Sequence, residues 1–320
     1  MKLLTYQNGD GGQRLGALAP DSEHVIDLAA VAPDAITLLE GGERAIDAAR
    51  QHVARAAPET WHALDEVTLC APVPRPSSIR ETMTFEAHII NAIRVRLGRL
   101  AAVDERLARI VGTRRSIAGL LNRSFYQQPP YYKANPRSVV GTNADVRIPS
   151  YTEQFDYELE WGVFIGKQGT DIPAERAREH IAGYTIFNDF SARDIQAREM
   201  AGRLGPAKGK DFDTGNAIGP WLVTPDEITD PYNLTATARV NGEEWSRGNT
   251  GDTSYPFEEL IAYMSRAETL YPGDFIGSGT ISGPQGKGCG LELGRFLKPG
   301  SIVELEVEQI GVLRNRVIAY

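Results

Sequence analysis

The chain has 320 residues, enough for one large domain or two, and 42 acidic against 34 basic residues give it a formal net charge of −8 at pH 7. That balance argues against general affinity for nucleic acid, and no apolar run is long enough to span a membrane. The two cysteines, Cys70 and Cys289, are far apart with no CxxC pair. This argues against a disulfide framework or a cysteine-based zinc site; with no signal-peptide core at the N-terminus, the expected home is the reducing cytoplasm.

Residues 1–70 read as a small β-rich N-terminal domain with helices. "MKLLTYQ" and "QRLGALA" on either side of "NGDGG" predict a hairpin, and "AITLLE" and "ERAIDAARQHVARA" carry helical periodicity. Three alternating prolines in "CAPVPRPSS" exclude a regular helix and mark the boundary to a second domain, residues 71–320. From Thr84 the pattern is helical, with Phe85, Ile89, Ala92 and Ile93 on one side. Over 94–131 it is also basic, with Arg94, Arg96, Arg99, Arg106, Arg109, Arg114, Arg115 and Arg123 against only Asp104 and Glu105. Most of these arginines are expected on a solvated face; together they suit a positive lid over an anion site. "QQPPYYKANP" ends the helical region as extended chain.

"FDYELEWGVFIGK" (155–167) alternates with period two, so it reads as a strand with Asp156, Glu158 and Glu160 on one face, ~7 Å apart. A helix follows in "GTDIPAERAREHIAGY", with Asp171 as cap, Pro173 in its first turn and Gly183 as its stop. "YTIFND" is a short strand, and "SARDIQAREM" a helix with Ser191 as cap, which puts Asp189 at a strand–helix junction. The last third is strand-rich, with a hairpin at "VNGEEW".

Carboxylates spaced this way can close on one cation, yet "VELEVEQI" repeats the spacing with Glu304, Glu306 and Glu308, expected to be a solvated edge. Partners from elsewhere must separate the two, and Asp189 is the best third acid for Glu158 and Glu160. Three carboxylates favour a hard divalent cation: Mg²⁺, or Mn²⁺ or Ca²⁺. His88 lies mid-helix, and its neighbours alone do not assign it a role.

The series "ELE", "NDFSARDIQ", "GKDF" and "GTISG", in this order from about Ser78 to the C-terminus, resembles the fumarylacetoacetate hydrolase superfamily. The resemblance implies an α+β, mostly β fold: a mixed β-roll or β-sandwich catalytic domain preceded by a small N-terminal one, usually assembled as a homodimer. It implies metal ligation by Glu158, Glu160 and Asp189. Glu81, seven residues before His88, stands where relatives have Asp and is the fourth candidate ligand. By the same resemblance His88 pairs with Glu292, and Lys210 is the active-site lysine. Tyr132, Lys133, Arg193, Gln196 and Thr280 then fall on substrate positions, and Met200 replaces a tyrosine. Arg96, two turns after His88, is the arginine expected to meet a substrate carboxylate.

The function implied is metal-dependent hydrolysis of a C–C bond in a small anionic 2,4-dioxo acid, an acylpyruvate or a fumarylacetoacetate-like compound. The alternative is isomerisation, decarboxylation or hydration of oxo acids, of the 2-hydroxyhepta-2,4-diene-1,7-dioate isomerase or oxaloacetate decarboxylase type. A non-catalytic oxo-acid binder is a third reading, disfavoured because the charged set is complete.

Overall fold

The computed structural model describes residues 1–9 and 11–320. Helix and strand take near-equal shares, 32% and 31%, with helices concentrated at 35–55 and 86–126. No helix among the described residues is long and apolar enough to cross a membrane.

The main sheet runs through Lys2–Gln7, Asn216–Val223, Ile181–Asp189, Glu160–Ile165, Asp274–Gly277, Ser78–Thr82 and Tyr131–Ala134, in that order. The N-terminal hairpin Lys2–Gln7 and Gln13–Leu18 joins it at Lys2↔Val223, so the first strands are continuous with the sheet that carries the site. One apolar cluster accordingly mixes Leu3, Leu15 and Leu38 with Phe164, Phe187 and Phe275. A second, five-stranded sheet packs Val303, Leu305 and Val307 against Trp161, Val163 and Ile165.

The predicted 155–167 strand is divided. Phe155–Asp156 pairs with Ser191–Ala192, and the main-sheet strand begins only at Glu160. All six residues of Glu160–Ile165 are buried. Alternation predicted one buried face; two apolar clusters bury both, and the acids go inside with them.

Other expectations shift for local reasons. The helix after this strand is one turn, Ala174–Ala177, followed by a 3₁₀ turn, and Pro173 rather than Asp171 precedes it. Asp171 has φ +50° and accepts from the Ala267 amide (2.9 Å). Gly183 stops no helix. It lies in strand Ile181–Asp189, where a Cβ would come within 2.4 Å of the Val223 carbonyl. Ser191 caps nothing, its hydroxyl donating to the Asp189 carbonyl (3.0 Å). "VELEVEQI" is not an edge: Ile302–Val307 is flanked on both sides. Its outward acids pair with cations, Glu306 with Arg239 at 2.7 Å and Glu304 with Arg314 at 3.6 Å.

Candidate active site

Three buried carboxylates converge from three strands. Glu160 opens Glu160–Ile165, Asp189 closes the neighbouring Ile181–Asp189, and Glu81 lies on Ser78–Thr82. Strand Asp274–Gly277 separates Glu81 from Glu160, and Gly277 removes the obstacle: a Cβ there would sit 1.7 Å from Glu81 Oε2. One oxygen of Glu81 is anchored by the Gly279 amide (3.0 Å). One ligand oxygen from each acid lies within 4.8 Å of the others. Glu81 Oε2, Glu160 Oε2 and Asp189 Oδ1 are buried with no hydrogen-bond partner.

Orphaned oxygens of this kind are costly unless something satisfies them. Burial first, then mutual repulsion, pushes the carboxyls of Glu81 and Glu160 well above the usual range, and burial raises Asp189 to about 6. A divalent cation held by these three acids meets both demands, and an all-oxygen donor set suits a hard ion. A carboxyl raised on folding binds more protons in the native state, so stability falls as pH rises from about 4 through the folded values. Chelator-treated protein is therefore expected to melt at a lower temperature at pH 8 than at pH 5. Saturating Mg²⁺ should remove most of that slope, adding ~2.7 kcal/mol at a hundredfold excess over Kd. Glu160→Gln should flatten the slope and abolish the Mg²⁺ gain; a melting series in which it behaves as wild type would remove the trio as a cation site.

Cations and a phenol hold the surrounding acids. Lys210 Nζ lies 2.5 Å from Glu158 Oε2 and 2.6 Å from Asp189 Oδ2, and Tyr132 donates to the same Asp189 oxygen (2.6 Å). Burial would raise the Glu158 carboxyl, but Arg193 and then Lys210 hold it well below the usual range. Burial would lower Lys210; Asp189 and Glu158 outweigh it and keep the ammonium. Burial and the nearby acids keep Tyr132 a neutral donor. Glu158 therefore sits beside the trio, its oxygens engaged by Lys210 and by Arg193 (2.8 Å).

His88 lies on Glu86–Leu97, buried, with Nδ1 2.8 Å from Glu292 Oε1 and Nε2 3.8 Å from Glu158 Oε1. Glu292 is fixed by Ser282 (2.6 Å) and Asn91 (2.6 Å). Burial pushes its carboxyl up, but these bonds, His88 first, hold it below its ordinary value. An ionised Glu292 selects the tautomer with hydrogen on Nδ1, leaving Nε2 free to take a proton.

Asp156, which matched no ligand position, is a hub. It accepts from Arg193 Nε (2.7 Å) and from the Gly290 and Leu291 amides (2.8 and 2.9 Å). One buried carboxylate thus fixes both the arginine on Glu158 and the short turn that presents Glu292.

A cavity of about 190 Å³ joins these groups, lined by Glu81, His88, Tyr132, Glu158, Glu160, Asp189, Gln196, Lys210 and Thr280. Thr280 Oγ1 is 3.5 Å from Glu160 Oε1. Its remaining wall is largely apolar: Met83, Pro130, Tyr131, Met200 and Pro206. Three expected substrate contacts lie elsewhere. Lys133 alternates to the other face of its strand from Tyr132 and pairs with Glu268 (3.2 Å). Arg193 is engaged by Asp156, Glu158 and Gln196 and is off the cavity lining, and Arg96 is exposed on its helix, also off that lining. Asn91 was missed, although it follows His88 by three residues, which on a helix is the same face. Nothing in the sequence marked Ser282 or the link that Asp156 makes between Arg193 and the turn of Glu292.

A histidine whose open nitrogen faces a cavity lined by acids is positioned for proton transfer, and this is the build of an enzyme. The chain belongs to the fumarylacetoacetate hydrolase family: residues 114–318 match the family model described as fumarylacetoacetate (FAA) hydrolase C-terminal. It is 33% identical over 326 residues, 99% of this chain and 92% of the relative, to the Bos taurus protein named oxaloacetate tautomerase FAHD2A, mitochondrial. It is 25% identical to a solved fumarylacetoacetate hydrolase from Exiguobacterium antarcticum, with TM-score 0.76 and all of both chains covered. The fold is also that of a maleylpyruvate hydrolase from Sphingobium, solved with manganese(II) and pyruvate (21% identity, TM-score 0.74, 100% and 99% covered).

Proposed function

We propose that this protein is a hydrolase that cleaves the C–C bond of a small 2,4-dioxo acid carrying an apolar acyl group, an acylpyruvate in type. The observation that carries the reading is the His88–Glu292 pair, 2.8 Å apart, with Nε2 turned to the cavity. The cavity supports the substrate class. At about 190 Å³ it is smaller than the 300–1,000 Å³ or so of drug-sized sites. Acids and Lys210 line one side, which suits the oxo-acid end; Met83, Pro130 and Met200 form an apolar wall that suits an acyl group and offers nothing to a second carboxylate.

Glu81, Glu160 and Asp189 would hold a divalent cation, which when bound supplies Lewis-acid polarisation of the substrate's neighbouring oxygens. His88 Nε2 takes a proton from water, and Glu292 steadies the imidazolium through Nδ1–H. The hydroxide adds to the acyl carbonyl, and Gln196 and Lys210 line the cavity as donors for the developing charge. When the C–C bond breaks, its electron pair stays with the pyruvate-side carbon, which collects the proton from His88. The products are a carboxylic acid and pyruvate.

A second reading has support of its own, because the Bos taurus relative aligned over 99% of this chain is named an oxaloacetate tautomerase. Here the same imidazole shuttles a proton between carbon and oxygen of the oxo acid and no bond between carbons breaks. A product-resolved NMR screen of acetylpyruvate, fumarylpyruvate and oxaloacetate with Mg²⁺ separates the two. Acetate and pyruvate from acetylpyruvate are expected, abolished by chelator and restored by Mg²⁺ or Mn²⁺. Accelerated enol–keto conversion of oxaloacetate with no cleavage of any dioxo acid would replace hydrolysis by the second reading.

A further inference from the structure

Behind the face that His88 turns to the cavity lies a second group of metal-ligating atoms. Cys289 is fully buried, with Sγ 3.6 Å from Glu292 Oε1 and 4.0 Å from His88 Nδ1, while Nδ1 and Oε1 are 2.8 Å apart. The acid trio is all oxygen; this triangle is one sulfur, one nitrogen and one oxygen. In tetrahedral zinc sites, bonds of about 2.0–2.3 Å place ligand atoms about 3.3–3.6 Å apart. The observed edges bracket that range, and shifts of about 0.5 Å would meet it. Linear spacing hid the group, because 201 residues separate His88 from Cys289.

We propose that His88, Cys289 and Glu292 form an inhibitory site for a thiophilic divalent cation such as Zn²⁺, distinct from the hard-cation trio. Binding displaces the thiol proton and the Nδ1 proton. It takes Nδ1 and Glu292 out of their mutual contact, so the imidazole loses the partner that supports its base function. Mg²⁺, which prefers oxygen and near-ideal octahedral geometry, is not expected here, whereas sulfur and imidazole favour Zn²⁺. The turn over Gly283–Lys287 runs next to the group. Pro284 and Gln285 are exposed there, and the flanking Ser282 and Gly288 both hydrogen-bond into the group. The inhibition rests on His88 acting as the base; the binding does not.

The test therefore has a binding arm and an activity arm, both on Mg²⁺-saturated protein carrying Cys70→Ser, which removes the other thiol. Co²⁺ should produce a thiolate-to-cobalt charge-transfer absorption that disappears in Cys289→Val and in the near-isosteric Cys289→Ser. Zn²⁺ should inhibit both Cys289 variants at least tenfold less potently than their parent. No thiolate absorption in the parent, or an absorption that survives in Cys289→Ser, overturns the site. Equal inhibition of parent and variants by Zn²⁺ overturns its inhibitory role and assigns the effect to the carboxylate trio. Should the substrate reading fail, the cobalt absorption still decides whether the site exists.

Discussion

Replacing His88 with alanine is expected to lower turnover by about 10²–10⁴-fold, the range for loss of a positioned general base. Mg²⁺ affinity measured by calorimetry should stay near wild type, because the acids His88 contacts, Glu292 at 2.8 Å and Glu158 at 3.8 Å, both lie outside the trio. The fold should also persist. Glu292 keeps Ser282 and Asn91 as partners when the imidazole goes, so it is not left buried and unbonded. This split between lost turnover and retained cation separates a proton carrier from a structural histidine. A variant with full turnover would move the proton transfer to another group and end the mechanism proposed above.

Asp156→Asn is expected to be the most damaging single-atom change in the molecule. The side chain is wholly buried and accepts from Arg193 and three backbone amides, so an amide nitrogen must now face at least one donor. Arg193, also buried, already has one terminal nitrogen without a partner. Removing one partner of a buried pair costs up to about 3–5 kcal/mol; Glu158 still faces Arg193 at 2.8 Å, so the loss is expected toward the lower end. Urea denaturation should show that loss as a lower midpoint. The activity should fall with it, since the same carboxylate sets both the Arg193–Glu158 contact and the Gly290–Leu293 turn that carries Glu292. A stable, fully active Asp156→Asn protein would reduce Asp156 to an ordinary buried acid.

The motif series led to the family, and with it to His88, Glu292, Lys210, Glu160 and Asp189, all of which line the cavity or bond to a residue that does. Period two read 155–167 as one strand with its acids on one face, whereas the main-sheet strand spans only 160–165 and is buried on both sides. Alternation reports which residues share a side and carries no information about what covers that side. Glu81 was legible only as a position in a motif. What lets its carboxylate reach Glu160 is a glycine on the strand between them, almost two hundred residues further along the chain.

The sequence by itself determined the acidic, strand-rich character of the chain and the set of residue types that could do chemistry. Tertiary structure decided their division of labour. Glu158 and Glu160 are two residues apart with the same spacing signal, yet Lys210 and Arg193 engage one while the other faces two buried acids. Lys133 and Tyr132 are adjacent, and the pleat sends only one to the cavity. The physical reason is common to both cases. Carboxylate behaviour depends on burial and on charges within a few ångströms, and those neighbours come from strands that only the folded sheet brings together.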